Sequence, residues 1–250
     1  MATPTAWTER ELAGDPHAAP DKARRVREMF AAIAPSYDLN NRVHSLGRDQ
    51  AWRRAAVRLA QVRPGDHVLD VACGTGDLSL AFERGGAGRV LGLDFTYEML
   101  PIARGKSSDR PLRFVNGDAM QLPLPDASVD IVSIAFGLRN VADPGRALAE
   151  FARVLRPGGR LIVLEFSKPA NPVLRWCNDV YCGRVMPFTA TLIAGDRSGA
   201  YHYLPRSVDT FLDRERLMAM MREAGLADVT HKPLTFGIAV AYRGVKPHAA

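Results

Sequence analysis

The residues best placed to do chemistry fall in one run, His67 to Asp77, HVLDVACGTGD. His67 to Val71 reads as a short buried strand, apolar with β-branched Val68 and Val71. Ala72, Gly74 and Gly76 follow at alternate positions, then Asp77 and the apolar positions Leu78, Leu80, Ala81 and Phe82 of a helix. A strand, a small-residue turn and a helix let a ligand lie directly on the backbone, and Asp77 is placed to cap the helix. Asp94 closes the next strand, Val90 to Asp94, at the distance where an acid grips ribose hydroxyls. Loop and acid together point to an adenosine ligand. A pyrophosphate cofactor such as NAD usually has a third glycine three positions after Gly76, where this chain has Ser79.

The elements holding that loop are expected to form one α/β domain. The chain has 250 residues, 47% hydrophobic and 24% charged, which suits an ordinary soluble domain with a full core. A net charge of +6 permits nucleic acid or an anionic membrane as partner, but the arginines are scattered, as on a solvated basic surface. Cys73, Cys177 and Cys182 make neither a disulfide framework nor a zinc site. The N-terminus has no apolar signal region and no run of 18 apolar residues exists. The expected location is cytoplasmic, peripheral at the inner face of the membrane if the chain meets lipid.

Residues 1–20 are polar and rich in Ala and Pro, and read as a flexible tail before one domain at 21–250. Within it, 21–62 reads as a helical lid. Val26, Met29, Phe30 and Ile33 share one face of a helix that Pro35 ends, Tyr37 to Asn41 reads as a polar turn, and a second helix spans about Gln50 to Ala60 with Trp52 and Leu59 inward. Further strands are expected at Leu112–Val115, Val129–Ala135 and Leu161–Phe166. Helices are expected at Glu98–Gly105 and Asp143–Leu155, the second closed by Arg156 to Gly159. The stretch 171–200 is an apolar insertion, with Val173, Leu174, Trp176, Tyr181, Phe188, Leu192 and Ile193. It covers the core or forms a wall for a greasy substrate. Val208 to Ala224 reads as one helix capped by Ser207, followed by a closing hairpin, Ala227–Pro233 and Phe236–Arg243.

The D-x-A-x-G-T-G run resembles motif I of class I S-adenosylmethionine methyltransferases, whose sheet has seven strands with the last antiparallel. Four stretches narrow the resemblance to the menaquinone and ubiquinone C-methyltransferase family. They are Tyr37-Asp38 through Asn41, Ser45, Gly47 and Trp52; VLDVACGTGDL at 68–78; the run from Ala135 to Pro169 with FGLRN and RVLRPGG; and YHYLPRSVDTF with LTFGIAVAYRGVKP. The resemblance implies S-adenosylmethionine as cofactor, held by Asp70, Gly74, Thr75, Gly76, Asp94, Asp118 and Ala119, with Asp118 meeting the adenine amino group. It departs at Ala135, where some members have serine, at Asn40, where methionine is usual, and at Asp49, where histidine is frequent.

The implied reaction is attack of a quinol ring carbon on the sulfonium methyl, and the enzyme mainly positions the partners. Arg139 or Asn140 would favour the ionised phenol. Asp38, His44, His202 and Tyr201 are candidate bases. The substrate expected is a prenylated quinol, demethylmenaquinol ahead of the benzoquinol of ubiquinone synthesis, since Leu93 to Thr96 looks closer to menaquinone-pathway members. An RNA or other small-molecule methyltransferase and a non-catalytic scaffold are the alternatives. The loop after strand four lacks the Asn/Asp-Pro-Pro-aromatic motif of amino-methylating DNA enzymes, and no nucleic-acid module is visible. A homodimer stays open.

Overall fold

The central strands are continuous apolar runs because both of their faces are covered. The computed structural model describes residues 6–186, 188–189 and 199–248. In chain order its elements are α1 (Glu9–Leu12), α2 (Lys22–Ile33), α3 (Tyr37–His44), α4 (Arg48–Ala60), β1 (His67–Val71), α5 (Asp77–Arg84), β2 (Arg89–Asp94), α6 (Met99–Lys106) and β3 (Leu112–Asn116). Then come β4 (Val129–Ala135), α7 (Pro144–Val154), β5 (Leu155–Phe166), α8 (Pro172–Val180), α9 (Ala200–Asp209), α10 (Arg214–Glu223), β6 (Ala227–Leu234) and β7 (Ala239–Val245).

The sheet order is β3-β2-β1-β4-β5-β7-β6. β1 pairs in parallel with β2 and β4, while β7 runs antiparallel to both β5 and β6. The expected seven-stranded α/β sheet with its last strand reversed is therefore present. Leu69, Val71, Val132 and Ile134 pack with Leu148 and Phe151 of α7 on one face. Val68, Ile131 and Ile162 pack with Trp52 and Ala56 of α4 and Phe82 of α5 on the other. With β1 buried between layers, its carboxyl end opens where a doubly wound sheet binds ligands.

Several boundaries differ from the expectation. The tail ascribed to 1–20 is docked from Ala6 onward: Trp7 is 2% exposed and stacks on Tyr203 with ring centroids 4.9 Å apart. Trp7 and Leu12 share a cluster with Val26, Met29 and Ile33, so short local patterns are held by distant partners. Tyr37 to Asn41 is the start of helix α3, not a turn. The single helix expected over Val208–Ala224 is two, because Asp213 caps α10 by accepting from the Arg216 N–H, and Ser207 lies inside α9. β5 starts at Leu155, and Arg156 to Gly159 belong to the strand. In the 171–200 insertion, α8 buries none of its residues, and Leu192 and Ile193 lie outside the described residues.

Candidate active site

The loop after β1 places Ala72, Gly74 and Gly76 in left-handed backbone, with φ of 51°, 53° and 82°. A side chain at Gly76 would be strained by the positive φ and crowded, with its Cβ 3.1 Å from the Phe114 ring and 3.2 Å from Ala103. The cleft this loop borders holds about 100 Å³ and is lined by Gly74, Asp94, Phe95, Asp118, Ala119 and Asn140 among others.

Asp94 joins two loops at the cleft. One carboxylate oxygen accepts from the Gly74 N–H at 2.7 Å and the other from the Thr96 N–H at 2.8 Å. Burial pushes its pKa up to about 6 against the pull of those donors. With the Thr96 side chain also bonded to it, the carboxylate keeps one further lone pair for a ligand hydroxyl. Asp118 accepts from the Met120 N–H at 2.9 Å, which shapes the turn after β3 and sets Asp118 and Ala119 in the cleft wall. An acid on each of two adjacent loops, over a glycine floor, fits an adenosine group.

Three of the residues expected around the cofactor stand back from the cleft. Asp70 is 1% exposed and accepts from the Ser79 hydroxyl at 2.6 Å and the Ser133 hydroxyl at 2.8 Å, so it ties β1 to α5 and β4. Its burial also pushes the pKa up to about 6. The Thr75 hydroxyl donates to Asp38 at 2.5 Å, and Gly76 forms the entry to α5. Asp77 does not cap that helix. Its carboxylate instead accepts from Lys106 Nζ and, at 2.8 Å, from Gln50 Nε2. Burial works to raise the Asp77 pKa, but the bond and charge of Lys106, with help from Arg53 and Gln50, bring it below the usual carboxylate value.

Asp38 belongs to the same cluster, with Lys106 Nζ 2.8 Å from its second oxygen. Thr75, Asp77, Lys106 and Asp38 thus clasp α3 to the cofactor loop. This occupies both Asp38 oxygens and counts against Asp38 as a free base.

A second cavity of about 650 Å³ lies beside the cleft, within the size range of ligand sites. Phe30, Tyr37 and Phe136 line both. Its walls are mostly apolar and come from α2, α3, α8 and α9. Tyr201 and His44 line it, whereas His202 is exposed outside it. The sequence offered Tyr37 as part of a turn and of a family-like stretch, with no contact assigned; the helix that carries it turns it toward Gly74, 3.8 Å from where a Cβ would stand there.

Arg139 lines the larger cavity but is 4% exposed and heavily engaged. Its Nη1 donates to Glu165 at 2.7 Å and to the Phe136 carbonyl at 2.5 Å, and its Nε reaches the Ser207 hydroxyl at 3.3 Å. Asn140 donates to the Phe136 carbonyl at 3.2 Å and accepts from Tyr203 at 2.9 Å. Both residues therefore shape the loop after β4 at the junction of the two cavities. Among the described residues no cluster of His, Cys, Asp or Glu fits a metal ion.

The family model described as the ubiE/COQ5 methyltransferase family matches residues 19–246. A protein of Thermus thermophilus named demethylmenaquinone methyltransferase is 50% identical over 222 residues, covering 88% of this chain and 100% of that one. A ubiquinone/menaquinone biosynthesis C-methyltransferase, UbiE, of Azotobacter vinelandii is 46% identical over 232 residues, covering 90% and 91%. Among solved structures, the complex of the Haloferax volcanii Trm112 methyltransferase activator with its methyltransferase matches with a TM-score of 0.64 at 25% identity, over 88% of this chain and 98% of that one. A match over nearly the whole length, with the cleft where a methyltransferase fold binds its cofactor, shows that the chain belongs to the ubiE/COQ5 methyltransferase family.

Proposed function

We propose that this chain methylates a ring carbon of a prenylated quinol with S-adenosylmethionine, converting demethylmenaquinol to menaquinol. The observation that carries the reading is the shared wall of the two cavities. A cleft headed by Asp94 meets a large apolar cavity at Phe30, Tyr37 and Phe136. S-adenosylmethionine supplies the electrophilic methyl group. Asp94 and Asp118 are placed to hold its adenosine part. The apolar walls hold a flat ring and the start of its tail out of water. The Arg139–Glu165 pair fixes the loop that separates the two, so the chain's work is mainly alignment. The ring carbon's electron pair forms the bond to the methyl as the methyl–sulfur bond breaks and S-adenosylhomocysteine leaves, and the ring carbon's proton then passes to water.

The quinol substrate resides in the bilayer, and no helix among the described residues is long and apolar enough to cross one. We propose peripheral contact with an anionic membrane around the cavity mouth. Leu39, Val43, Leu46, Val173, Trp176 and Phe236 are all exposed, from 42% to 87%. Leu46, the most exposed at 87%, also lines the cavity and carries a strained φ of 52°. Exposed Arg42, Arg48 and Arg184 accompany these apolar groups.

The test is direct. The purified protein, S-adenosylmethionine and a short-tailed demethylmenaquinol should give the methylated quinol by mass spectrometry. A strain lacking the gene should accumulate demethylmenaquinone. The name of the Azotobacter relative also covers ubiquinone synthesis, so the matching benzoquinol belongs in the same assay. Methylation of neither would overturn the reading.

A further inference from the structure

The wall of the larger cavity contains two polar atoms that nothing described satisfies. Asn40 and His44 stand four residues apart on α3, on one side of the helix, and both line the cavity. Asn40 is 2% exposed. Its Nδ2 donates to the Ser36 carbonyl at 3.2 Å, which leaves Oδ1 a buried acceptor without a donor. His44 Nε2 is likewise buried and unpartnered.

The Tyr181 hydroxyl lies 3.1 Å from His44 Nδ1 and 3.3 Å from the His44 carbonyl, and it has one proton to give. In the tautomer with the proton on Nδ1, the hydroxyl donates to the carbonyl and accepts from Nδ1, and Nε2 carries a lone pair. Burial holds the His44 pKa below its ordinary value, so the ring is neutral near pH 7 and keeps that lone pair. Two acceptors shut from water lose hydration with nothing in return unless a donor reaches them.

We propose that Asn40 Oδ1 and His44 Nε2 form an acceptor pair for a ring hydroxyl of the substrate, and that this pair selects the reduced quinol over the oxidised quinone. The inference rests on the quinol reading above and names the residues that recognise the reduced ring. A quinol hydroxyl donates a hydrogen bond; a quinone carbonyl only accepts, and would face two lone pairs. Sites built to hydrogen-bond a hydroxyl reject the analogue that lacks it. The selection suits the reaction, because only the electron-rich reduced ring attacks an electrophilic methyl.

The test compares binding of a short-tailed demethylnaphthoquinol, kept reduced without oxygen, with binding of its quinone by equilibrium dialysis. Wild-type protein should prefer the reduced form by about tenfold or more, the ratio set by the upper end of one neutral hydrogen bond's net worth. Asn40→Leu and His44→Leu should each shrink that ratio, and the double variant should bring it to about one. S-adenosylmethionine affinity and thermal melting, followed alongside, should hold; if the double variant does not fold, the two single variants carry the comparison. Equal binding of both forms by wild type, or an unchanged ratio in the variants, would overturn the acceptor pair and leave the function intact. Binding of neither form would overturn both.

Discussion

The Arg139 guanidinium lies 2.7 Å from the Glu165 carboxylate, with the two side chains only 5% and 2% exposed. The pair staples the loop after β4 to β5, and Arg139 also stands 5.3 Å from the Phe166 ring centroid. Breaking a buried pair by removing one partner costs about 3–5 kcal/mol, whereas replacing both with apolar groups is often neutral. Arg139→Ala should therefore melt early, and Arg139→Met with Glu165→Leu should recover most of the loss in a thermal scan. Turnover on a short-tailed quinol should fall about a hundredfold in both, as for a small misplacement of the groups that align the substrate. Recovery of turnover along with stability would make Arg139 a staple and nothing more.

Asp94→Ala should weaken S-adenosylmethionine binding at least about tenfold, since charge-assisted hydrogen bonds are worth about 1.5–3 kcal/mol each. Asp94→Asn, which keeps one acceptor oxygen but turns its NH2 toward the Gly74 or Thr96 N–H, should also weaken binding. Calorimetry reads both, and an unchanged affinity in Asp94→Ala would remove Asp94 from the cofactor site.

The acids Asp70 and Asp94 should give the free protein an unusual pH profile. Burial raises both from 3.8 to about 6, so between these values the folded chain holds more protons than the unfolded one. Their joint contribution to stability must then fall as pH rises from about 4 to about 6. Denaturant titrations across that window should show it, on top of the behaviour of the other groups. Saturating S-adenosylmethionine should flatten the Asp94 share, because ribose hydroxyls favour the ionised form, and Asp70→Asn should remove the rest.

The clasp between Asp38, Thr75, Asp77 and Lys106 should govern cofactor exchange. Lys106→Met leaves two carboxylates facing each other across α3 and the loop. We expect faster release of S-adenosylmethionine by stopped-flow, with a weaker response of that rate to salt than in wild type. A release rate identical to wild type would make the cluster incidental to exchange.

Vesicle co-sedimentation should detect binding to anionic and not to neutral lipid, weakened by salt, since each basic residue near an anionic surface contributes about 1 kcal/mol. Trp176→Ser and Leu46→Ser should weaken it further. Binding that ignores lipid charge and salt would remove the electrostatic part.

The parts of the site read most directly from sequence were those set by local chemistry. The strand–glycine–acid run around β1 and β2 needed only neighbours in the chain, and Asp94 lands in the cleft wall. Side-chain partners from elsewhere were not legible. Asp70 looked like a ligand residue until Ser79 and Ser133 claimed its oxygens. Asp77 looked like a cap until Lys106 and Gln50 drew its carboxylate away. Trp7 lies in a polar stretch that by composition should be loose, and it is ordered by Tyr203. Tyr37 to His44 is helical in spite of two asparagines, with the Tyr37 ring set edge-on against Phe30 of α2.

The contact of the chain's start with α9 has a consequence for synthesis. His17 reaches the Ser207 carbonyl at 2.9 Å across 190 positions, and Trp7 waits on Tyr203 for its stack. On the ribosome, the first segment made is thus among the last to find its place, since its partners emerge only when most of the sheet strands already exist. Tyr203 in turn donates to Asn140 beside the cleft. A polypeptide halted before residue 200 can assemble β1 to β5 and still lack the brace behind the junction of the two cavities, so truncated products are left unfinished there.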